Sequence, residues 1–236
     1  MVTGILPLTI EHATVRRRGR RLIGPISHVL SPEGLTIVMG PNGAGKTSLL
    51  RMMHGVVRHS EGQVSWAQPQ EIAEKKQAFV FQSPIMLRRS VLKNLTYPLE
   101  LIKAPNAPDR ASEWAARIGL EDKLELPAPR LSGGEKQKLT LARALIRGPE
   151  VLFLDEPCAN LDGSATKDIE AILHEATQAG TRIVMSTHDM GQARRLATDV
   201  IFMLGGKIHE KGTAQSIFSA PERIETKRFL SGEIVE

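Results

Sequence analysis

The chain has little cysteine, few aromatic residues and no long apolar run. Cys158 is the only cysteine among 236 residues, so no disulfide can form within the chain, and a reducing compartment such as the cytoplasm is expected. Phe, Trp and Tyr together make up 4% of the sequence. The apolar runs at 151–154 and 200–204 are far shorter than the roughly 20 residues that a membrane-spanning helix needs. We therefore expect a globular chain without a membrane span.

The excess of positive charge is too small to identify a partner. Lys and Arg outnumber Asp and Glu by 31 to 26, a formal net charge of +5. Basic residues concentrate at 16–18, 20–21 and 88–89. Such clusters suit nucleic acid, an anionic membrane surface or a bound nucleotide, and they equally suit an ordinary solvated surface. Charge alone leaves these alternatives open.

Four short apolar runs each end at a polar group or a glycine-rich loop. Helical patterns separate the runs, which is typical of a parallel sheet with crossover helices. In such sheets, ligands bind beyond the carboxyl ends of the strands. The sequence therefore predicts a nucleotide site at one rim of the sheet. The runs are Leu35–Met39 before the glycine-rich loop, 78–81 before Gln82, 151–154 before Asp155 and Glu156, and 182–187 before His188.

The glycine-rich loop, called the phosphate loop below, covers residues 40–47. Glycines let backbone amides approach phosphates, and the N-terminus of the predicted helix Lys46–His54 favours negative charge. Lys46 adds a cation for the outer phosphates, and Thr47 is the hydroxyl expected on Mg²⁺. A chance glycine-rich turn is the alternative, and the flanking strand and helix argue against it. The predicted contacts are Gly40, Pro41, Asn42, Gly43, Ala44, Gly45, Lys46, Thr47 and Ser48.

Two acids, Asp155 and Glu156, follow a run that is apolar throughout, as expected of a strand buried on both faces. In isolation, such a pair would most simply cap the next helix. Near a phosphate loop, one acid can order the Mg²⁺ shell and the next can orient and deprotonate an attacking water. Both acids are therefore predicted to belong to the nucleotide site.

A serine–glycine segment, Leu131-Ser132-Gly133-Gly134-Glu135, lies shortly before the acidic strand. Ser132 and Glu135 have the spacing of a capping box, with Ser132 as the N-cap of a helix that carries an apolar stripe. The first turn would hold Gly133 and Gly134, whose free N–H groups and positive helix dipole favour an anion. The segment is predicted to be both a helix start and an anion-binding surface.

In this order, the phosphate loop, the serine–glycine segment and the acidic strand resemble the ATP-binding cassette (ABC) family over nearly the whole chain. The resemblance implies an α/β fold: a P-loop NTPase with a mostly parallel core sheet, an N-terminal antiparallel β subdomain and an inserted α-helical subdomain. It implies a single domain, 1–236, with a RecA-like core at 1–82 and 148–236 and the helical subdomain at about 83–147. Helices are predicted at 91–103 and 111–120, a loop at 105–108, and a helical end at 214–235.

The resemblance also implies roles for single residues. Asp155 would order Mg²⁺, Glu156 would be the general base, and the serine–glycine segment would be the signature that contacts the γ-phosphate of ATP held by a second subunit. Gln82 resembles the Q-loop glutamine, His188 the switch histidine, and Asp162 the D-loop aspartate at the dimer interface. The implied cofactors are ATP and Mg²⁺. The implied catalytic residues are Lys46, Gln82, Glu156 and His188, the metal ligands are Thr47, Gln82 and Asp155, and the signature contacts are Ser132, Gly133 and Gly134.

The sequence departs from the family pattern where an aromatic residue usually stacks on adenine. The turn ahead of the phosphate loop reads Arg16-Arg17-Arg18-Gly19 and has no aromatic residue. Because a guanidinium plane can stack on a base, Arg17 or Arg18 is expected to take this place, with weaker discrimination for adenine.

A separate cassette of this length resembles the ATPase subunit of an importer. The implied partners are a second copy of the chain, transmembrane permease subunits and, indirectly, a solute-binding protein, at the cytoplasmic face of the cell (inner) membrane. Residues 82–95 resemble cassettes of oxyanion importers, most of all the tungstate type, with phosphate and molybdate types behind.

Two other classes of protein fit the sequence less well. Soluble ABC ATPases that act on nucleic acid or ribosomes carry two cassettes or a long coiled coil, so no nucleic acid partner is expected. A P-loop kinase or GTPase would leave the signature and His188 unexplained.

Overall fold

The structure is a computed structural model that describes residues 4–235; residues 1–3 and 236 of the predicted domain lie outside this range. The strands are β1 (Leu8–Arg17), β2 (Arg20–Leu30), β3 (Leu35–Met39), β4 (Glu61–Trp66), β5 (Gln77–Val80), β6 (Val151–Asp155), β7 (Arg182–Ser186), β8 (Asp199–Leu204) and β9 (Lys207–Thr213). The helices are α1 (Lys46–His54), α2 (Gln70–Ala73), α3 (Val91–Leu101), α4 (Ala107–Arg117), α5 (Gly133–Leu145), α6 (Gly163–Gln178), α7 (Met190–Leu196), α8 (Ala214–Ser219) and α9 (Ile224–Leu230).

The strands form two sheets. An antiparallel sheet has the order β2-β1-β4, and a six-stranded sheet has the order β5-β6-β7-β3-β8-β9. All neighbours in the larger sheet are parallel except β8 and β9. The predicted fold class, a mostly parallel core sheet with an antiparallel N-terminal sheet, is confirmed.

Alternate residues of the parallel strands enter two separate cores. On β3, Leu35, Ile37 and Met39 belong to a core that includes helices α3–α6. Val38, between them, belongs to a second core made by the antiparallel sheet and α1. The parallel sheet is therefore covered on both faces, which explains why its strands read as continuous apolar runs.

The segment between β5 and β6 contains helices and no strand among the described residues, as predicted. Three of its helix boundaries differ from the prediction. Helix α4 begins at Ala107, so the predicted loop at 105–108 is confirmed for residues 105 and 106 only, because a proline in the first turn, Pro108, is compatible with a helix. The same helix ends at Arg117, ahead of Gly119, which has a φ of 66°. The helix predicted at 91–103 ends at Leu101.

The end of the chain also differs from the prediction. Residues 214–235 contain two short helices, α8 and α9; Pro221 lies in the break between them, and the helical part ends at Leu230. None of the helices at 4–235 is both long and apolar enough to cross a membrane.

A buried arginine joins the amino ends of the central strands. Arg182, at the start of β7, donates to the carbonyl oxygen of Ser31 at 3.0 Å, to Oγ1 of Thr36 at 2.5 Å and to Oδ1 of Asp199 at 3.0 Å. These contacts connect β3, β7 and β8 at the amino ends of the strands. The opposite ends of the same strands remain available for a ligand.

Candidate nucleotide-binding site

The phosphate loop joins β3 to α1, as the sequence predicts. Gly40, Gly43 and Gly45 have φ values of 140°, 80° and 100°, which favour glycine. A Cβ atom at Gly40 would lie 2.1 Å from the carbonyl oxygen of Met203, and one at Gly45 would lie 2.3 Å from Cγ2 of Ile23. Both glycines are therefore required by the packing of the loop as well as by its backbone.

A cavity of about 270 Å³, called the phosphate cavity below, opens beside this loop. Gly40, Pro41 and Ala44 were predicted to contact phosphate and do not line it. Ala44 is instead buried in the core beneath the loop. The lining residues are Leu22, Asn42, Gly43, Gly45, Lys46, Thr47, Ser48 and Glu156.

The ammonium group of Lys46 is held by the loop itself. Its Nζ donates to the carbonyl oxygens of Gly40 at 2.8 Å and Pro41 at 3.1 Å. The residue is only 7% exposed, and this burial lowers the pKa of Lys46, while the carboxylates of Glu156 and Asp155 act in the opposite direction. Charged phosphate oxygens would be stronger partners for the ammonium than neutral carbonyls are.

The Asp155 carboxylate connects three elements of the site. Its Oδ1 accepts hydrogen bonds from Thr47 Oγ1 on α1 and from Ser186 Oγ on β7, both at 2.9 Å. Its Oδ2 lies 3.9 Å from Nη2 of Arg51. Sequence reasoning missed Ser186, which lies opposite Asp155 in the register of β6 and β7. This register could not be read from a single sequence.

The oxygen atoms at this point fit a magnesium ion. Between residues 4 and 235 there is no cluster of three or more His, Cys, Asp or Glu side chains that could hold a metal by themselves. Mg²⁺ is commonly bound by one or two protein oxygens together with phosphate oxygens and water. The Thr47 hydroxyl and the Asp155 carboxylate, in direct contact, are suitable protein ligands.

Gln82 and His188 both contact Glu156. Oε2 of Glu156 accepts a hydrogen bond from Gln82 Nε2 at 3.1 Å and lies 3.4 Å from Nδ1 of His188. The Glu156 backbone has a φ of 47°, which is strained for a non-glycine residue, and its N–H contacts the carbonyl oxygen of Ser186 at 3.1 Å. Three residues predicted from separate strand ends therefore meet at one carboxylate beside the phosphate cavity.

The serine–glycine segment begins helix α5 with the predicted capping box. Ser132 Oγ accepts from the Glu135 amide at 3.3 Å, and Glu135 Oε2 accepts from the Ser132 amide at 2.8 Å. The N-terminus of α5 lies against the start of α6, where Asp162 caps the helix by accepting from the Ala165 amide at 2.8 Å.

A second cavity, of about 380 Å³, includes Ser132, Gly133, Gly134 and Asp162 in its lining. It shares no residue with the phosphate cavity. Within one chain, the two predicted phosphate-contacting surfaces are therefore separate.

Arg17 and Arg18 lie at the turn between β1 and β2 and do not line the phosphate cavity. Leu22 lines it instead and is an exposed apolar side chain. Sequence reasoning missed Leu22, although it is the first apolar residue after the basic turn. A role of the two arginines at adenine stays a prediction.

Comparison with known proteins identifies relatives along most of the chain. Residues 23–159 match the model of the ABC transporter family. A methionine import ATP-binding protein of Cereibacter sphaeroides is 35% identical over 216 residues, which cover 86% of this chain and 61% of that protein. A tungstate uptake system ATP-binding protein of Peptoclostridium acidaminophilum is 36% identical over 195 residues, which cover 78% of this chain and 91% of that protein.

A probable anion import ATP-binding protein of Haloferax volcanii is 32% identical over 234 residues, covering 89% of this chain and 81% of that protein. Other relatives are named for the import of phosphate and of cystine. The chain thus spans about three-fifths of the methionine relative and most of the length of the anion and tungstate relatives.

Solved structures share the fold. CbiO1 from Clostridium perfringens, part of the ABC transporter complex cbiONQ, superposes with a TM-score of 0.81 and 25% identity, covering 96% of each chain. A dimeric ATP-binding cassette in a post-hydrolysis state, bound to ADP and Pi, superposes with a TM-score of 0.77 and 23% identity, covering 88% of this chain and 98% of that chain.

The two signature glycines should respond differently to a methyl group. A Cβ at Gly134 would lie 2.9 Å from Cβ of Ala165 and separate α5 from α6, whereas one at Gly133 meets no atom within 4 Å. Overpacking typically lowers the free energy of unfolding by about 1–3 kcal/mol. Replacing a helical glycine by alanine raises it by up to about 1 kcal/mol, at either position. We expect the free energy of unfolding, measured by denaturant titration, to be about 1 kcal/mol lower for Gly134→Ala than for Gly133→Ala. Equal stability of the two variants would contradict this packing.

Proposed function

The chain belongs to the ABC transporter family, and on that premise we propose that it is the ATP-binding and ATP-hydrolysing subunit of an ABC importer. One observation supports the proposal most directly: the cavity at the signature (Ser132, Gly133 and Gly134) and the phosphate cavity lie in the same chain without sharing a residue. An ATP bound at the phosphate loop would therefore meet a signature only when a second subunit supplies it.

The phosphate cavity supplies groups for binding and for hydrolysis. Lys46 and the loop amides would bind the outer phosphates, and Thr47, Asp155 and Gln82 are the proposed ligands of Mg²⁺, which supplies charge neutralisation at the phosphates when bound. Glu156 is proposed to orient and deprotonate the attacking water, with Gln82 and His188 on the same carboxylate oxygen. Catalysis would come mainly from positioning and charge neutralisation.

The proposed active unit is a homodimer with two shared sites. Ser132, Gly133 and Gly134 of each chain would contact the γ-phosphate of ATP on the other, and Asp162 would lie at the same interface. The solved structure of a dimeric cassette with ADP and Pi, which has the same fold, supports this arrangement. The predicted helical subdomain at about 83–147, within a single domain 1–236, belongs to the same proposal.

Removing the general base should separate ATP binding from turnover. Glu156→Gln keeps the size and the contact with Gln82 but loses the base, so we expect phosphate release to fall by about 100-fold or more. With MgATP, the variant should accumulate as a dimer in size-exclusion chromatography.

A matched control is Glu33→Gln, which changes an exposed glutamate outside both cavities and should behave as the unmodified chain does. If the Glu156→Gln chain stays monomeric with MgATP and retains normal ATPase activity, the assignment of the base and of the shared site is wrong.

A groove beside the Gln82 segment fits a permease. This groove has a volume of about 400 Å³ and is lined by Phe79, Phe81 and Pro98, among others. Exposed apolar side chains near it include Val56 and Ile85, which is 59% exposed. The lining also includes the basic side chains Arg143 and Arg147, and such a partly apolar surface suits a segment of a partner protein.

The groove is also connected to the nucleotide site. Arg143 on α5 donates to the carbonyl oxygen of Ile85 at 2.6 Å and to Oδ1 of Asn94 at 3.1 Å. Three residues before Ile85, Gln82 contacts Glu156. A permease segment in this groove would therefore lie next to both the catalytic carboxylate and the signature helix.

We expect Ile85→Asp to uncouple transport from ATP hydrolysis. A charge at this exposed side chain, beside the groove, should weaken binding to the permease by at least about tenfold, measured by co-purification and by uptake in vesicles. ATP-dependent dimerisation of the isolated chain in the Glu156→Gln background should remain. Ile224→Asp is the control, since Ile224 is 62% exposed and lies on α9, which supplies no residue to the groove, whereas Ile85 contacts the groove residue Arg143. Uptake that survives Ile85→Asp would place the permease elsewhere.

The proposed solute is an oxyanion such as tungstate, and the proposed location is the cytoplasmic face of the cell membrane. The relatives named for tungstate and anion import support this, although relatives of similar identity are named for methionine. The chain itself would meet the permease and not the solute.

The solute is best tested on the solute-binding protein of the same transporter. Calorimetric titration should show binding of tungstate and weaker binding of phosphate. A protein that binds methionine and ignores tungstate would rule out the oxyanion.

A further inference from the structure

We infer that Lys123 is a positioning residue of the signature: it neutralises the Glu135 carboxylate beside the amides that would meet the partner's ATP. The inference rests on the proposed function, because it concerns the surface offered to a second copy of the chain. It assigns a task to a residue that lies outside every sequence motif.

The capping box uses one oxygen of Glu135 and leaves two amides free. Oε2 of Glu135 accepts from the Ser132 amide, and the Ser132 hydroxyl accepts in return. The amides of Gly133 and Gly134 have no hydrogen-bond acceptor among residues 4–235. Two amides and one hydroxyl therefore remain for an incoming anion.

A carboxylate in the same helical turn opposes that anion. Glu135 is the third residue of α5, next to Gly134, so its charge would lie close to the γ-phosphate of the partner's nucleotide. Like charges at such distances repel more strongly once an interface has excluded water. Hydrogen bonds from Lys123 and the Ser132 amide lower the pKa of Glu135 to about 2. Protonation at neutral pH cannot remove this charge.

Lys123 supplies the compensating charge. It ends the short 3-10 turn Glu121–Lys123, and its Nζ contacts Oε1, the carboxylate oxygen that the capping box leaves unused. The nearby Lys138 is paired with Asp168 at 3.0 Å. Within the described part of the chain, Lys123 is the only cation in contact with Glu135.

The exposure of the pair argues against a mainly structural role. The Lys123 and Glu135 side chains are 44% and 22% exposed, and ion pairs of this kind contribute little to folding stability. Loss of Lys123 should therefore leave the fold intact and change the surface charge of the signature.

The test measures ATP-dependent dimerisation of the full chain in the Glu156→Gln background by sedimentation velocity. Lys123→Gln should raise the ATP concentration for half-maximal dimerisation about tenfold, and adding Glu135→Gln should return it to within about twofold of the parent. Glutamine at 135 keeps the capping box, so the rescue isolates the charge. Lys123→Arg should behave as the parent does.

Two further measurements separate this role from a structural one. Binding of a fluorescent ATP analogue to the monomer and the thermal unfolding temperature should both stay unchanged in Lys123→Gln. Arg228→Gln is the control, because it breaks another exposed ion pair, with Glu233 at 2.8 Å, and should not affect dimerisation.

Three results would overturn the inference. If Lys123→Gln dimerises as the parent does, the charge of Lys123 does not affect dimerisation. A defect that Glu135→Gln does not rescue shows that Lys123 acts by another contact. If the Glu156→Gln parent forms no dimer with ATP, the proposed function fails, and the inference fails with it.

Discussion

The site depends on one buried carboxylate. Asp155 ends β6 and accepts hydrogen bonds from Thr47 on α1 and Ser186 on β7. Since Thr47 follows Lys46 directly, these bonds position the phosphate loop relative to the acidic strand. Ser186 also contacts the amide of Glu156, so the same hydroxyl group supports the backbone of the proposed base. A shift at this carboxylate would move the lysine, the proposed base and the proposed metal ligands together.

The two surfaces that we propose contact phosphate use backbone amides in different electrostatic settings. The phosphate loop places its amides beside the buried ammonium of Lys46. The amides of the signature lie beside the Glu135 carboxylate, and Lys123 from a preceding turn compensates its negative charge. A positive side chain therefore accompanies each set of amides, but only the first belongs to a recognised motif. Both surfaces agree with helix N-termini as anion sites.

The larger features of the fold could be predicted because they follow from local patterns. The parallel strands are continuous apolar runs, and β3 and helix α1 were predicted with their observed bounds. The convergence of Gln82, Glu156 and His188 follows from the rule that strand ends share a rim. The start of α4 was missed because a proline was read as a loop, although Pro108 is acceptable in a first turn.

What could not be predicted depends on contacts between distant segments. Ser186 joins the site through a strand register, and Leu22 reaches the phosphate cavity from the other sheet. The pairing of Lys123 with Glu135 depends on how a 3-10 turn packs beside α5. No periodicity or spacing in the sequence reports these contacts, since each joins elements whose relative position is set by the core.

The crowding at Gly40 limits which residues the chain tolerates at this position. Any side chain there would collide with the backbone of β8 at Met203, and β8 is paired with β3 next to the phosphate loop. A substitution at this position would therefore displace either the loop or β8. At the turn ahead of the loop, by contrast, a Cβ on Gly19 meets nothing within 4 Å. Gly19 has a φ of 77°, so a side chain there would meet backbone strain alone, whereas one at Gly40 would also displace a strand of the core sheet.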